Sequence, residues 1–270
     1  MPRSRATPSI SAAPGSRLPK AFDPVLASPA TTGLFLDFDG TLSSFVDDPA
    51  AARPHEGAVE DLVALAPVLG RVAIMSGRPL AFLEAVFPPI IDLSGLYGLE
   101  IRVGGVRTDH DQAGAWREVI DDIASMARAR GPEGMRVEPK GVSLTLHYRE
   151  HPEVEGEVRT WAATLASRSG LVVRPARMSV ELHPPIAADK GTAIAQLSDD
   201  LDTVVYAGDD VGDLPAFAAL DGVQAAGGTA IRIAVRNAEP AEALVAAADV
   251  VAEGPADVAA LLRTLRRRLT

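Results

Sequence analysis

No cysteine occurs among the 270 residues. Neither a disulfide framework nor a thiolate-held metal is therefore open to this chain, and any metal must sit on oxygen or imidazole. Such usage suits a reducing compartment, and the expected location is the cytoplasm. No uncharged apolar run approaches the roughly 18 to 20 residues that a membrane span needs, and the first residues lack the apolar stretch of a secretion signal. A soluble protein without a membrane partner is expected. Positive charge is also in deficit: 26 Lys and Arg against 36 Asp and Glu leave a net charge of −10. That balance argues against nucleic acid, whose binders need a basic stripe to displace phosphate counterions. The length suffices for two modest domains. A monomer acting on a small molecule is the expectation.

Residues 1–28 are rich in Ser, Pro and Ala, with Arg3, Arg5, Arg17 and Lys20. Such a mixture has little apolar surface to offset the entropy of ordering it, and it reads as a flexible tail. From Gly33 the pattern alternates between strand and helix. Leu34-Phe35-Leu36 is a short apolar run suited to a strand buried on both faces. Val59, Leu62, Val63, Ala66 and Leu69 follow at helical spacing, then Val72-Ala73-Ile74-Met75 as a strand, and then a helix opened by Pro79. The same grammar returns in Thr203–Ala207, Ile231–Val235 and Val250-Val251, and ends in a helix over Pro255–Leu269. Between these halves the period changes. Val142, Leu144, Leu146 and Tyr148 alternate with Ser143, Thr145, His147 and Arg149, as in a sheet with one packed and one open face. The fold class expected is α/β, with a doubly wound parallel core over 29–104 and 186–270 and an inserted α+β domain over 105–185.

Chemistry gathers where apolar strands end, which is where open α/β sheets bind ligands. Asp37-Phe38-Asp39-Gly40-Thr41 follows the first strand. Residues two apart in extended chain share a side, so both acids can address one substrate. Asp209, Asp210 and Asp213 follow a later strand through Gly208. So many crowded carboxylates need a cation, and hard oxygen ligands with incomplete coordination suit Mg²⁺, or Mn²⁺ equally. Ser76-Gly77-Arg78 stands between a strand and a helix, where a hydroxyl and backbone N–H groups can take an anion. Lys190 opens a helix beside Asp189, the N-cap, at an end where the dipole disfavours a cation. A phosphate and a carboxylate nearby would explain its placement. Each motif alone also suits an ordinary turn, cap or surface charge.

Together Asp37-x-Asp39-Gly-Thr41, Ser76, Lys190 and Gly208-Asp209-Asp210-x-x-Asp213 stand in the order of the four motifs of the haloacid dehalogenase (HAD) superfamily, which the chain resembles. Glu138-Pro139-Lys140-Gly141-Val142-Ser143, then His147-Tyr148-Arg149 and Glu181, resemble more narrowly the trehalose-6-phosphate phosphatase family. The resemblance spans about residues 33–265. Two departures are Gly212-Asp213-Leu214, where Thr-Asp-Glu is usual, and Tyr97, where histidine is common. The resemblance implies that the inserted domain is a mobile cap and that Asp37 is the nucleophile and Asp39 the general acid and base. It implies Mg²⁺ on Asp37, Asp39 and Asp209, with Asp213 and Asp210 behind them. Thr41, Ser76, Gly77 and Lys190 would hold the phosphoryl group, and Glu138, Lys140, Glu181 and Arg78 the rest of the substrate. The implied reaction is hydrolysis of trehalose 6-phosphate through an aspartyl-phosphate. Other sugar phosphates, such as sucrose 6-phosphate or a glycosyl-phosphoglycerate, remain alternatives, as more remotely does a phospho-accepting signalling module.

Overall fold

The computed structural model describes residues 10, 17–46, 48–176, 178–237 and 241–270. Along the chain, α1 (Asp23–Ala27) precedes β1 (Thr32–Asp37), α2 (Ala58–Leu65), β2 (Arg71–Met75), α3 (Leu80–Glu84) and β3 (Asp92–Gly95). Then come β4 (Glu100–Val103), β5 (Val106–Asp109), α4 (Arg117–Arg130), β6 (Arg136–Pro139), β7 (Leu144–His147), α5 (Glu155–Ser169), β8 (Val172–Ala176) and β9 (Ser179–His183). The chain closes with α6 (Lys190–Leu197), β10 (Thr203–Gly208), α7 (Leu214–Ala225), β11 (Thr229–Val235), α8 (Glu242–Ala247), β12 (Val250–Ala252) and α9 (Pro255–Leu269). Two compact units result, Met1–Arg107 with Ala188–Thr270, and Thr108–Ala187.

In the larger unit the strand order is β12-β11-β10-β1-β2-β3-β4-β5. The six strands from β12 to β3 pair in parallel, and β4 turns back antiparallel on β3. Alternate side chains feed two separate cores, as a sheet covered on both faces requires. Leu34, Leu36, Ile74, Val205 and Ile233 point to the side closed by α2, α3 and α9, where Leu62, Leu83, Leu262 and Leu265 pack. Phe35, Met75, Val204 and Tyr206 point to the other side, against Ile194 and Leu197 of α6 and Phe217 and Leu220 of α7.

Residues 17–28 differ from a flexible tail. Lys20–Phe22 form a 3₁₀ turn that leads into α1, and Phe22 and Val25 are fully buried in the first core. Two apolar anchors suffice to order a segment whose average composition is polar; burying Phe22 alone contributes about 1.5–3 kcal/mol. Residues 1–9 and 11–16 of the expected tail lie outside the described residues.

The smaller unit carries the sheet β6-β7-β9-β8, antiparallel throughout. One face holds Leu144, Leu146, Val180 and Leu182, which pack with Ile120 and Ile123 of α4 and Val158, Ala162 and Leu165 of α5. The apolar stripe of the longer helix is thus core. The other face is polar: Glu138, Thr145, Glu181 and Arg174 are successive cross-strand partners from β6 to β8.

Candidate active site

Register places the acids together. Leu36 of β1 pairs with Ala207 of β10, and Asp37 pairs with Met75 of β2. Asp37, Gly208-Asp209 and Ser76 therefore leave three neighbouring strands at one level, at their carboxyl ends. The chain after Asp37 folds back at once, with Gly40 N–H donating to Ser43 O at 2.8 Å. Gly40 has φ +78°, and a Cβ there would lie 2.1 Å from Asp209 Oδ2. Only glycine lets this turn sit against the carboxylate.

Asp37, Asp209 and Asp213 each offer an oxygen within 4.8 Å of the others, and all three are buried. Lys190 reaches in from α6. Its Nζ donates to Asp37 Oδ1 at 2.7 Å and to Asp213 Oδ1 at 2.5 Å. Asp189 caps that helix as expected, accepting from Thr192 N–H at 2.8 Å, while Thr192 Oγ1 meets the Asp189 N–H at 3.0 Å. The cap leaves Lys190 at the first turn and turned inward.

Asp213 has no capacity left for a ligand of its own. Besides Lys190, it accepts Tyr206 OH at 2.5 Å, Asp209 N–H at 2.8 Å and Asp210 N–H at 3.1 Å. Asp210 caps the following turn through Gly212 N–H. Asp209 keeps an oxygen toward Thr41, whose Oγ1 is 3.5 Å away, and its other oxygen accepts Asn237 Nδ2 at 2.8 Å.

Three carboxylates against one ammonium leave two negative charges in a buried space. Burial, then Asp213 and Asp209, raise Asp37 well above the ordinary carboxylate range despite Lys190. Burial, then Asp213 and Asp210, push Asp209 up to about 7. Burial and Asp213 also raise Asp210. Burial opposes charge on Lys190, but Asp213 and Asp37 outweigh it and hold the ammonium protonated. An unmet charge of this size on hard oxygen donors is what a divalent cation such as Mg²⁺ neutralises, so the residues fit the ion that the sequence implies.

Asp39 lies beside this cluster with its carboxylate in a fork: Arg78 Nε donates to Oδ2 at 2.8 Å and Nη2 to Oδ1 at 2.7 Å. Arg78 also donates to Pro49 O and lies over the Phe82 ring at 4.5 Å. Read from sequence as a substrate ligand, Arg78 here holds the second acid. The neighbouring turn also differs from a bare anion site. Ser76 Oγ accepts Arg78 N–H at 3.1 Å, and the first N–H of α3, at Leu80, donates to the buried Glu100 carboxylate at 2.8 Å. An acid of the chain itself thus already occupies that helix end. Gly77 gives room to Tyr97, whose ring lies 2.6 Å from where a Cβ would stand.

In the smaller unit, Glu138 Oε2 lies 2.6 Å from His147 Nε2, and Glu181 accepts Ser143 Oγ at 2.7 Å. The His147 bond, aided by Lys140, holds Glu138 down at about 2 against the opposing effect of burial. Between the two carboxylates in the cross-strand row stands Thr145, whose buried Oγ1 has no hydrogen-bond partner among the described residues.

Sequence reasoning missed Tyr206 and Asn237. A tyrosine inside a buried strand needs a partner for its hydroxyl, which was a signal for the first. Asn237 lies two residues beyond β11, at the same strand ends as the acids, and the carboxyl-end rule extended to that strand would have found it.

Comparison with known proteins follows this geometry. A sequence profile described as trehalose-phosphatase matches residues 35–249. Proteins named trehalose-phosphate phosphatase from Mycobacterium ulcerans and Mycobacterium leprae are 35% identical over 249 residues and 34% identical over 253 residues. Each alignment covers 88% of this chain; it spans 62% of the first protein and 58% of the second. Among solved structures, the C-terminal domain of the Candida albicans trehalose-6-phosphate phosphatase superposes with TM-score 0.72 at 22% identity, covering 98% of this chain and 100% of that one. One described as a trehalose-6-phosphate phosphatase related protein gives 0.74 at 21%, covering 87% and 97%. At such identities the structures establish the shared fold alone, a mainly parallel sheet core with a smaller inserted α+β unit.

Proposed function

We propose, since this chain belongs to the trehalose-phosphatase family, that it hydrolyses trehalose 6-phosphate to trehalose and phosphate through an aspartyl-phosphate on Asp37, with Mg²⁺ as cofactor. The observation that carries the reading is the buried cluster of Asp37, Asp209, Asp213 and Lys190 at the carboxyl ends of neighbouring strands. The names of the mycobacterial relatives support the substrate.

Lys190 occupies Asp37 Oδ1, which leaves the other oxygen as the nucleophile. It attacks phosphorus in line with the sugar oxygen, the bond from phosphorus to that oxygen breaks, and Asp39 delivers the proton the leaving alkoxide needs. Asp39 then takes a proton from the water that attacks the phosphoryl-aspartate, and phosphate leaves with Asp37 restored. Because Arg78 donates to both Asp39 oxygens, proton delivery requires one arm of that fork to open. Lys190, Thr41 and Ser76 are the donors suited to the phosphoryl oxygens, aimed where charge shifts. Asp37, Asp209 and the Asp39 carbonyl would hold Mg²⁺, with Asp213 and Asp210 supporting them from behind. Bound there, the ion supplies charge neutralisation at the transferring phosphoryl group.

Sugar reading is assigned to Glu138, Lys140 and Glu181. Two carboxylates one strand apart on either side of an unpartnered hydroxyl make a row of acceptors and donors matched to adjacent sugar hydroxyls. The decisive experiment is phosphate release from trehalose 6-phosphate, sucrose 6-phosphate, glucose 6-phosphate and an aryl phosphate, with Mg²⁺ and with chelator, on the wild type and on Asp37→Asn. A chelator-sensitive preference for trehalose 6-phosphate that Asp37→Asn abolishes is expected. A preference for another sugar phosphate overturns the sugar assignment alone, whereas stable phosphorylation of Asp37 without turnover indicates a signalling module.

A further inference from the structure

Asn237 is joined to two catalytic segments that are remote in sequence. Its Nδ2 donates to Asp209 Oδ2 at 2.8 Å and to Gly40 O at 3.3 Å. Both neighbours are acceptors, a carboxylate and a carbonyl, so the amide must present its NH₂ and not its oxygen to them. A single amide nitrogen with two hydrogens serves both at once, which neither a hydroxyl nor a carboxylate of that reach can do.

The consequence falls on Asp209. Its Oδ2 is wedged between the Gly40 backbone and the Asn237 amide. Its Oδ1 is left on the side of Thr41, and its backbone N–H is tied to Asp213. Holding Oδ2 fixes the torsion of the whole carboxylate, so Oδ1 is set on the Thr41 side, in an acid that forms a cluster with Asp37 and Asp213. The bond to Gly40 O adds a second function, because it locks the turn carrying Asp39 to the strand end carrying Asp209. Outer partners of this kind govern the affinity of the ligands they orient.

We propose that Asn237 is a positioning residue for the cation: it selects Asp209 Oδ1 as the ligand oxygen and ties the Asp37–Thr41 turn to it. The inference rests on the Mg²⁺ reading above and extends it to a residue outside the four motifs.

The test is calorimetric titration of Mg²⁺ into the metal-free full chain, for wild type, Asn237→Ala and Asn237→Ser, with phosphate-release kinetics run beside it at varied Mg²⁺. Wild type should bind the ion, and Asn237→Ala should bind it about 10- to 100-fold more weakly. Raising Mg²⁺ should recover most of the turnover that Asn237→Ala loses at limiting metal, so the Mg²⁺ concentration for half-maximal kcat should rise by about the same 10- to 100-fold. Asn237→Ser, too short to reach both acceptors, should lie between, and it decides the matter should the alanine variant fail to fold. Unweakened Mg²⁺ binding in the folded variants overturns the inference, as does a fall in kcat at saturating metal with affinity unchanged. A wild type that takes up no Mg²⁺ overturns the metal reading itself, so the two failures are distinct.

Discussion

Replacing Lys190 with methionine removes the ammonium that, among the described residues, balances three buried carboxylates. Each of its contacts, at 2.7 Å to Asp37 and 2.5 Å to Asp213, is worth about 6 kcal/mol by Coulomb's law at an effective dielectric near 20. Desolvating the ammonium offsets several kcal/mol of that, and losing one member of a buried pair typically costs about 3–5 kcal/mol. The acids can relieve part of the loss by taking up a proton, because burial already raises Asp37. A carboxyl whose folded-state pKa lies above its unfolded value of about 4 binds more protons folded than unfolded in that window. Stability therefore falls as pH rises through the window and stays low above it. The deficit of Lys190→Met should accordingly be largest near pH 8, shrink toward pH 5, and be recovered in part by Mg²⁺. Urea unfolding in chelator and in Mg²⁺ measures it. Both tryptophans, Trp116 and Trp161, lie in the smaller unit, so circular dichroism and not indole fluorescence must follow the core. Activity should drop by about 10²–10³ in kcat. A loss below about 1 kcal/mol in chelator at pH 8, or one equal at pH 5 and pH 8, refutes the charge accounting.

Two further outcomes follow from the same structure. Asp209 is pushed up to about 7 and Asp37 is raised as well, and carboxylate ligands must be ionised to hold the ion, so Mg²⁺ affinity should weaken by about tenfold or more per pH unit as pH falls below 7; calorimetry at pH 6, 7 and 8 checks this, and a flat profile contradicts it. Phe22→Ala should lower the unfolding free energy of the core by about 3–5 kcal/mol, as a fully buried ring does; a change under about 1 kcal/mol would mean that residues 17–28 are not part of the core.

What could be read from sequence, and what could not, divides by range. Strand ends followed by acids are local patterns, and the two-residue spacing of Asp37 and Asp39 shows without any knowledge of the fold. The roles of Arg78 and Asn237 are not local. Arg78 reaches Asp39 across 39 positions and Asn237 reaches Gly40 across 197; both contacts depend on β1 lying between β2 and β10, with β11 next beyond β10. No hydropathy period encodes strand order. The tail misled for a different reason: averaging composition over residues 1–28 diluted Phe22 and Val25, whereas burial is decided one side chain at a time. Glu100 shows the same limit, since an acid near a sheet edge carries no sign that it closes the end of α3.

Local preferences are broken together at one end of the large sheet. Lys190 sits at a helix start, against a dipole that costs about 0.3–1 kcal/mol; Gly40 adopts positive φ; and three acids crowd where burial opposes their charge. Taken singly, each of these departures works against local stability. Yet each compensates another. The Asp189–Thr192 capping box satisfies the N–H groups of the helix that bears Lys190. Lys190 draws Asp37 and Asp213 together, and Asp213 in turn is saturated by Tyr206 and two backbone N–H groups. The compensation stops two charges short, at Asp37 and Asp209, the carboxylates with an oxygen still to offer. A site kept for stability alone would have closed that gap with a second cation of its own. Leaving it open costs the metal-free protein stability at neutral pH, and that deficit is what a divalent ion can relieve on binding.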